Sequence, residues 1–212
     1  MNCESCRKLS CVVRSEDNPK NCPMITSREV FEEARKIYEK DAETRRMVTE
    51  ASIVEAVGYM QWPRLRDTIE FAKRMGYKKL GLAFCIGLQK EAEVTARILR
   101  EWGFEVVSVM CKTGSFLKTE IGVPEEYTMQ SKTGYLIGMV TCNPVAQALY
   151  LNKHGTELNI IVGLCVGHDA VFTKYSEAPV TTLIAKDRVL SHNPAAALYT
   201  YYWNSYWMKE RV

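Results

Sequence analysis

Residues 159–169, reading NIIVGLCVGHD, constrain the fold more than any other stretch of this 212-residue chain. Ile160, Ile161 and Val162 form a β-branched apolar run far shorter than the roughly 20 residues that cross a bilayer, so they read as a strand covered on both faces. Gly163 and Gly167 bracket Cys165 and permit close backbone approach where the strand ends. His168 and Asp169 follow at once, and residues 170–176, AVFTKYS, read as a short helix. A strand that runs through a Cys, a Gly, a His and an Asp into a helix marks the carboxyl edge of an open α/β sheet, where such folds hold their ligands. Cys165, His168 and Asp169 are therefore candidate site residues.

The flanking pattern supplies the rest of such a sheet. Residues 79–85, KLGLAFC, read as a strand ending at Cys85, and a helix carrying Ala92, Val94, Ile98 and Leu99 follows to Gly103. Residues 104–111, FEVVSVMC, form the next strand and end at Cys111, which makes a right-handed βαβ crossover. Residues 180–185 give a further strand, trailed by Lys186, Asp187 and Arg188. Upstream, helical spacing predicts three helices over 26–76, with Pro63 opening the third and Gly76 stopping it. The predicted fold is α/β: an open, mostly parallel, Rossmann-like sheet flanked by helices over 77–212. A helical lead-in at 26–76 and a four-cysteine metal segment at 1–25 precede it, and the whole forms one compact unit. The glycine-bearing stretch 112–140 reads as a long insertion lying over the site as a lid.

The leader contains Cys3, Cys6, Cys11 and Cys22 in the spacing Cys-x2-Cys-x4-Cys-x10-Cys, followed directly by Pro23. Polar residues fill the gaps and leave almost nothing for a core, so a bound metal is what would give this segment a shape. Zinc takes four cysteines but usually from two close-set doublets, and here only Cys3 and Cys6 make one. Iron–sulfur clusters also take four cysteines, often with proline after the last, so a 4Fe-4S cluster is favoured over zinc.

Eight cysteines in a chain of this length are too dilute for a disulfide scaffold, which points to the cytoplasm and to free thiols. No signal-peptide core or membrane-length apolar run is present, and the net charge of +3 is dispersed without a basic stripe. Nucleic acid and membrane are both excluded as partners.

Cys142 precedes Asn143 and Pro144, a cap and first position for a helix, and His192 stands in the same relation to Asn193 and Pro194. A thiol just ahead of a helix N-terminus is favoured as the thiolate. Cys85, Cys111, Cys142 and Cys165 each lie at a strand end or strand-to-helix junction, and such junctions share one rim in a doubly wound sheet. Cys142, Cys165, His168 and Asp169 are the candidate catalytic set, with Cys85 and His192 beside Cys142 and Cys165 as ligands of a second metal or cofactor. Cys111 reads instead as a small buried apolar residue. The aromatic C-terminal stretch, including Tyr199, Tyr201, Tyr202, Trp203, Tyr206 and Trp207, reads as a packing or self-association face, which allows a homo-oligomer.

Four segments together resemble the cysteine-rich domain-of-unknown-function 1847 proteins of archaea and anaerobic bacteria, described as predicted metal-binding proteins. They are the leader cysteines ending in Cys22-Pro23, CNPVAQALYLN at 142–152, GLCVGHDAVF at 163–172, and KDRVLSHNP at 186–194. The resemblance implies a metal, anaerobic physiology and redox work, and supplies no reaction. The residues and the resemblance converge on an iron–sulfur metalloprotein whose rim binds a small anionic or sulfur-containing ligand and exchanges electrons with a redox partner protein. The alternative is a non-catalytic zinc module that senses or carries a metal or metabolite.

Overall fold

The computed structural model describes residues 3–128 and 138–199. The chain divides into two compact units, Met1–Met60 and Gln61–Val212. In the first, a 3-10 turn at Cys3–Ser5 is followed by two four-residue helices, α1 (Ser10–Val13) and α2 (Pro23–Thr26). Short elements suit a segment that buries almost no apolar surface against the entropy of ordering it. Ser10 is buried, and its hydroxyl donates to the Asp17 carbonyl at 2.7 Å. The hairpin of α3 (Arg28–Lys40) and α4 (Ala42–Gly58) follows, the two helices lying against each other. Asp41 caps α4: its carboxylate accepts the Thr44 N–H at 3.0 Å and the Thr44 hydroxyl at 2.7 Å. Those bonds, the backbone one foremost, hold the Asp41 carboxyl below its ordinary 3.8.

The second unit opens with α5 (Arg64–Met75), the last helix of the predicted lead-in, which thus falls in the same unit as the sheet. It stops at Gly76 as its sequence predicts: Gly76 takes the left-handed conformation at φ 79° and its N–H closes on the Ala72 and Lys73 carbonyls. The sheet of the described residues comprises β1 (Lys79–Phe84), β2 (Glu105–Met110), β3 (Leu158–Val162) and β4 (Val180–Ile184). All pairs are parallel, in the order β2-β1-β3-β4. Helix α6 (Gln89–Glu101) joins β1 to β2, α7 (Pro144–Lys153) lies between β2 and β3, and α8 (His168–Tyr175) between β3 and β4.

The chain therefore leaves β1 toward one edge and later returns past it to the other. Right-handed crossovers then put α6 and α7 on opposite faces. Leu82 and Phe84 line a cavity with Ala92 and Ala96 of α6, whereas Gly81, of the opposite parity along the strand, faces Leu151 of α7. All of β3 is buried, as a strand covered on both sides must be, and the core runs through Leu80, Leu82, Leu99, Leu151, Ile160, Val162 and Phe172. Asn159 sits within that core, fully buried, accepting from the Thr156 hydroxyl at 2.7 Å and donating to Ser176 Oγ at 2.8 Å. Gly81 makes room for it, since a Cβ there would stand 1.9 Å from Asn159 Oδ1.

Two segments differ from their sequence pattern or lie outside the description. Asn143 caps α7, accepting the Ala146 N–H at 3.0 Å, but Asn193 does not begin a matching helix. Ser191 and His192 both adopt positive φ, 50° and 62°, in a turn closed by the His192 N–H on the Asp187 carbonyl, and α9 starts only at Ala196 (Ala196–Tyr199). The aromatic face predicted beyond Tyr199 lies outside the described residues. Of the stretch 112–140, the described part forms 3-10 turns at Thr119–Ile121 and Glu125–Tyr127 and a single antiparallel bridge between Leu117 and Val140. Among the described residues no helix is long and apolar enough to cross a membrane.

Candidate functional site

Parallel strands deliver their carboxyl ends to one rim, and β1 and β3 are where the strand order reverses and a crevice opens. Cys85 and Cys111 are the first residues past β1 and β2, whose registers end together at Phe84 and Met110. The ladder continues one step beyond the strands, with the Cys111 N–H donating to the Phe84 carbonyl at 2.9 Å and the Cys85 N–H to the Val162 carbonyl at 3.2 Å. The two thiols thus lie side by side, and Cys111 Sγ accepts the Ile86 N–H at 3.4 Å. Next to them the Asn143 N–H donates to the Cys111 carbonyl at 2.7 Å, which pins the start of α7 to the end of β2 and brings the Cys142 thiol onto that of Cys111.

Cys165 arrives from the other side. Gly163 takes φ 69°, turning the chain out of β3, and the Cys165 carbonyl then accepts the N–H groups of His168 and Asp169 at 2.9 and 3.1 Å. This turn starts α8 and folds the His168 ring back onto Cys165. One donor atom each from Cys142, Cys165 and His168 lie within 4.8 Å of one another. Through further contacts of Cys165 with Cys85, the thiols close a ring in the order 85, 111, 142, 165.

Basic side chains from the loop after β4 reach the same ring. Lys186 Nζ donates to Cys85 Sγ, and an Arg188 guanidinium nitrogen donates to Cys165 Sγ at 3.1 Å. Asp187, between them, turns its carboxylate onto the N–H groups of Val189 and Leu190 at 2.9 and 2.8 Å. Lys112 extends its ammonium to the Val140 carbonyl at 2.5 Å, closing the base of the 112–140 stretch.

The electrostatics separate the four thiols. The neighbouring Cys111 and Cys165 thiols, with His168 and Lys112 beside them, hold the Cys142 thiol far below the ordinary range despite burial. Cys111, beside Cys142 and Cys85 and buried, is pushed far the other way and stays a neutral thiol. For Cys165, the Cys142 thiolate raises it, while Cys85, His168 and Arg188 lower it, and the balance leaves it at about 7. The Cys142 and Cys165 sulfurs raise His168 to about 9 against burial. The rim is thus a thiolate–imidazolium cluster, and its His168 Nδ1 is shielded from solvent with no hydrogen-bond partner among the described residues.

That donor set suits a metal. Thiolate and imidazole select zinc or iron over magnesium or calcium, and a Zn–S bond of about 2.3 Å puts tetrahedral donors roughly 3.8 Å apart. A spread of 4.8 Å closes on a single ion with a small side-chain movement. An iron–sulfur cluster, being larger than one ion, needs its cysteines farther apart.

Of the remaining candidates, Asp169 is half-buried and its carboxylate accepts the adjacent Ala170 N–H at 2.8 Å. His192 accepts the Asp187 N–H through Nδ1 at 3.1 Å, which ties its ring to the basic loop and leaves it outside the three-residue group. In the first unit Cys3 and Cys11 are exposed and Cys6 and Cys22 half-buried, with the Cys22 thiol directed at Asn18 Oδ1 at 3.9 Å. No three of these thiols gather as the rim donors do, among the described residues.

Sequence reasoning gave Lys186 and Arg188 no role, and it read Cys111 as a small buried residue, which it is. The signal for their place at the rim was present: Cys111 follows β2 as Cys85 follows β1, and cations one residue apart just past a strand's carboxyl end must stand at the rim.

A family model described as Protein of unknown function (DUF1847) matches residues 22–183. An uncharacterized protein of Methanocaldococcus jannaschii is 44% identical over 203 residues, which span 96% of this chain and 96% of that protein. The chain belongs to the DUF1847 family.

Proposed function

For a chain of this family, we propose a cytoplasmic metalloprotein whose rim holds one soft metal ion through Cys142, Cys165 and His168 and acts on a small sulfur-containing molecule. The observation that carries this reading is the convergence of those three donors from two separate loops within 4.8 Å, with a buried imidazole nitrogen left without a partner. Ordinary packing leaves few polar atoms in that state, and a ligand is what satisfies them. When bound, the ion supplies a Lewis-acidic or electron-accepting centre with one position not filled by these three residues. The chain's own residues do the rest. Arg188 and Lys186 donate to Cys165 and Cys85, the neutral Cys111 thiol lies beside Cys142, and the turn at Gly163 orients His168. Outer groups of this kind set a metal centre's affinity and charge.

The leader quartet Cys3, Cys6, Cys11 and Cys22 belongs to the proposal as a second site, for an iron–sulfur cluster, whose binding would draw the four thiols together. Its role is to pass electrons between a partner protein and the rim. All eight cysteines are free thiols, as a reducing compartment keeps them. The close rim spacing also favours a second reading, a colourless zinc module without redox work. Anaerobic purification followed by metal analysis decides between them. The proposal expects iron and visible absorption that Cys3→Ser removes, plus one further ion that Cys142→Ser removes. One zinc and no colour supports the module, and protein without metal at either site sinks both.

A further inference from the structure

The metal reading leaves one feature of the rim unused: a gap over Gly87. This residue is exposed, and a Cβ built on it would meet only Lys186 Nζ at 3.9 Å and Cys85 Sγ at 4.0 Å. With no side chain there, the approach to Lys186 Nζ and to the buried Cys85 sulfur is left unfilled, and the cavity that Gly87 itself lines also carries Lys90, Glu91 and Glu93. Arg188 stands on the same loop, exposed, with its guanidinium on the next thiol of the ring, Cys165. Among the described residues neither cation is paired with a carboxylate, because Asp187 and Asp169 are turned onto backbone N–H groups of their own loops. Lys112 is held by the Val140 carbonyl. Lys186 and Arg188 therefore stand at the rim thiols with sulfur atoms as their present hydrogen-bond partners.

A dication held by two thiolates and a neutral imidazole makes a neutral site, so metal at Cys142, Cys165 and His168 weakens the claim of Cys165 on Arg188, while Lys186 keeps Cys85 as its partner. An anion entering over Gly87 would find Lys186 and Arg188 ready to donate. A soft ion with thiolate ligands favours sulfur in its remaining position. Cys85 resting on Lys186 already displays the pairing of sulfur with ammonium that an incoming ligand would replace.

We propose that the opening over Gly87 admits a small molecule carrying both a thiol and an anionic head group, its head bound by Lys186 and Arg188 and its sulfur on the rim ion. The thiol binds as the thiolate and its proton leaves to solvent, with no change of oxidation state. This inference rests on the metal reading above.

The test uses the full-length, reduced protein loaded with cobalt(II) under anaerobic conditions, each variant's cobalt content being measured first. It is titrated with 3-mercaptopropionate, 2-mercaptoethanol and propionate while sulfur-to-cobalt charge-transfer absorption is followed. Hydrogen bonds to charged groups predict that the anionic thiol binds at least about tenfold tighter than the neutral one, with propionate weakest. Arg188→Met, a change at an exposed side chain, and Lys186→Met each erode that preference, and Lys186→Arg restores it. Gly87→Leu weakens both thiols together. Equal binding of the two thiols by cobalt-loaded wild type overturns the inference and leaves the metal site standing, as does a preference that survives Arg188→Met and Lys186→Met. Wild type that takes up no cobalt sensitive to Cys142→Ser overturns both.

Discussion

Replacing Gly163 with alanine tests how the fold delivers its rim. Gly163 stands at φ 69°, a conformation that costs an L-residue roughly 1–2 kcal/mol. Its new methyl would lie 2.5 and 2.7 Å from the two terminal carbons of Leu88, a residue with no exposed surface. Overpacking of that kind costs roughly 1–3 kcal/mol, so the variant should lose about 2–5 kcal/mol in all. The damage is also directional. Leu88 is tied to Cys85, its N–H donating to the Cys85 carbonyl at 2.8 Å, and Gly163 precedes Cys165 by two positions. Relief of the clash therefore spreads the Cys85 and Cys165 loops, and rim metal affinity falls with stability. Urea unfolding of the reduced, metal-free protein gives the first quantity and competitive cobalt titration the second. Gly87→Ala is the control, since its methyl meets nothing closer than 3.9 Å, and it should stay within roughly 0.5 kcal/mol of wild type. A Gly163→Ala protein as stable as Gly87→Ala would refute the steric reasoning, and one that is destabilised yet binds cobalt unchanged would refute the link to the rim.

Other consequences can be checked separately. Gln147 is fully buried and its amide donates to the carbonyls of Phe84 at 3.2 Å and Val109 at 2.9 Å, so it staples β1 to β2 just below Cys85 and Cys111. Gln147→Leu should cost roughly 1–3 kcal/mol in urea unfolding and slacken cobalt binding; a neutral result would remove that staple from the account. Asn159→Ala strips partners from Thr156 and Ser176 within the core, and a loss of roughly 1–3 kcal/mol is expected by the same measurement. The Asp41 carboxyl is lowered in the folded chain, so its contribution to α4 is complete above the unfolded value and fades as pH falls through the folded one. Protection from amide exchange in the first turn of α4, relative to the intrinsic rate at each pH, should fall with acid in wild type and stay level in Asp41→Asn, which caps without titrating.

Much of the sheet was legible because its signals are local. The all-apolar β3, the cysteines at strand ends, and the Asn143-Pro144 cap each state their structure within a few residues. The rim was legible only in outline. That Cys142 and Cys165 meet follows from the parallel topology, but the entry of Lys186 and Arg188 depends on the path of one loop past β4, which periodicity does not encode. His192 shows the limit of matching motifs: its Asn-Pro resembles that after Cys142, yet positive φ at Ser191 and His192 turns the segment onto Asp187 instead of starting a helix. Cys111, with nothing ligand-like beside it in the chain, reads as a small buried residue, and it is one, set in the core next to the other rim thiols.

X-ray absorption at the metal edge of the anaerobically isolated protein, with all four leader cysteines changed to serine, addresses the rim directly. The account predicts one retained ion per chain in a mixed sulfur and imidazole shell, with the imidazole signature lost in His168→Ala and the ion lost in Cys142→Ser. A protein that holds no ion once the leader is silenced, or a shell that His168→Ala leaves unchanged, would contradict it.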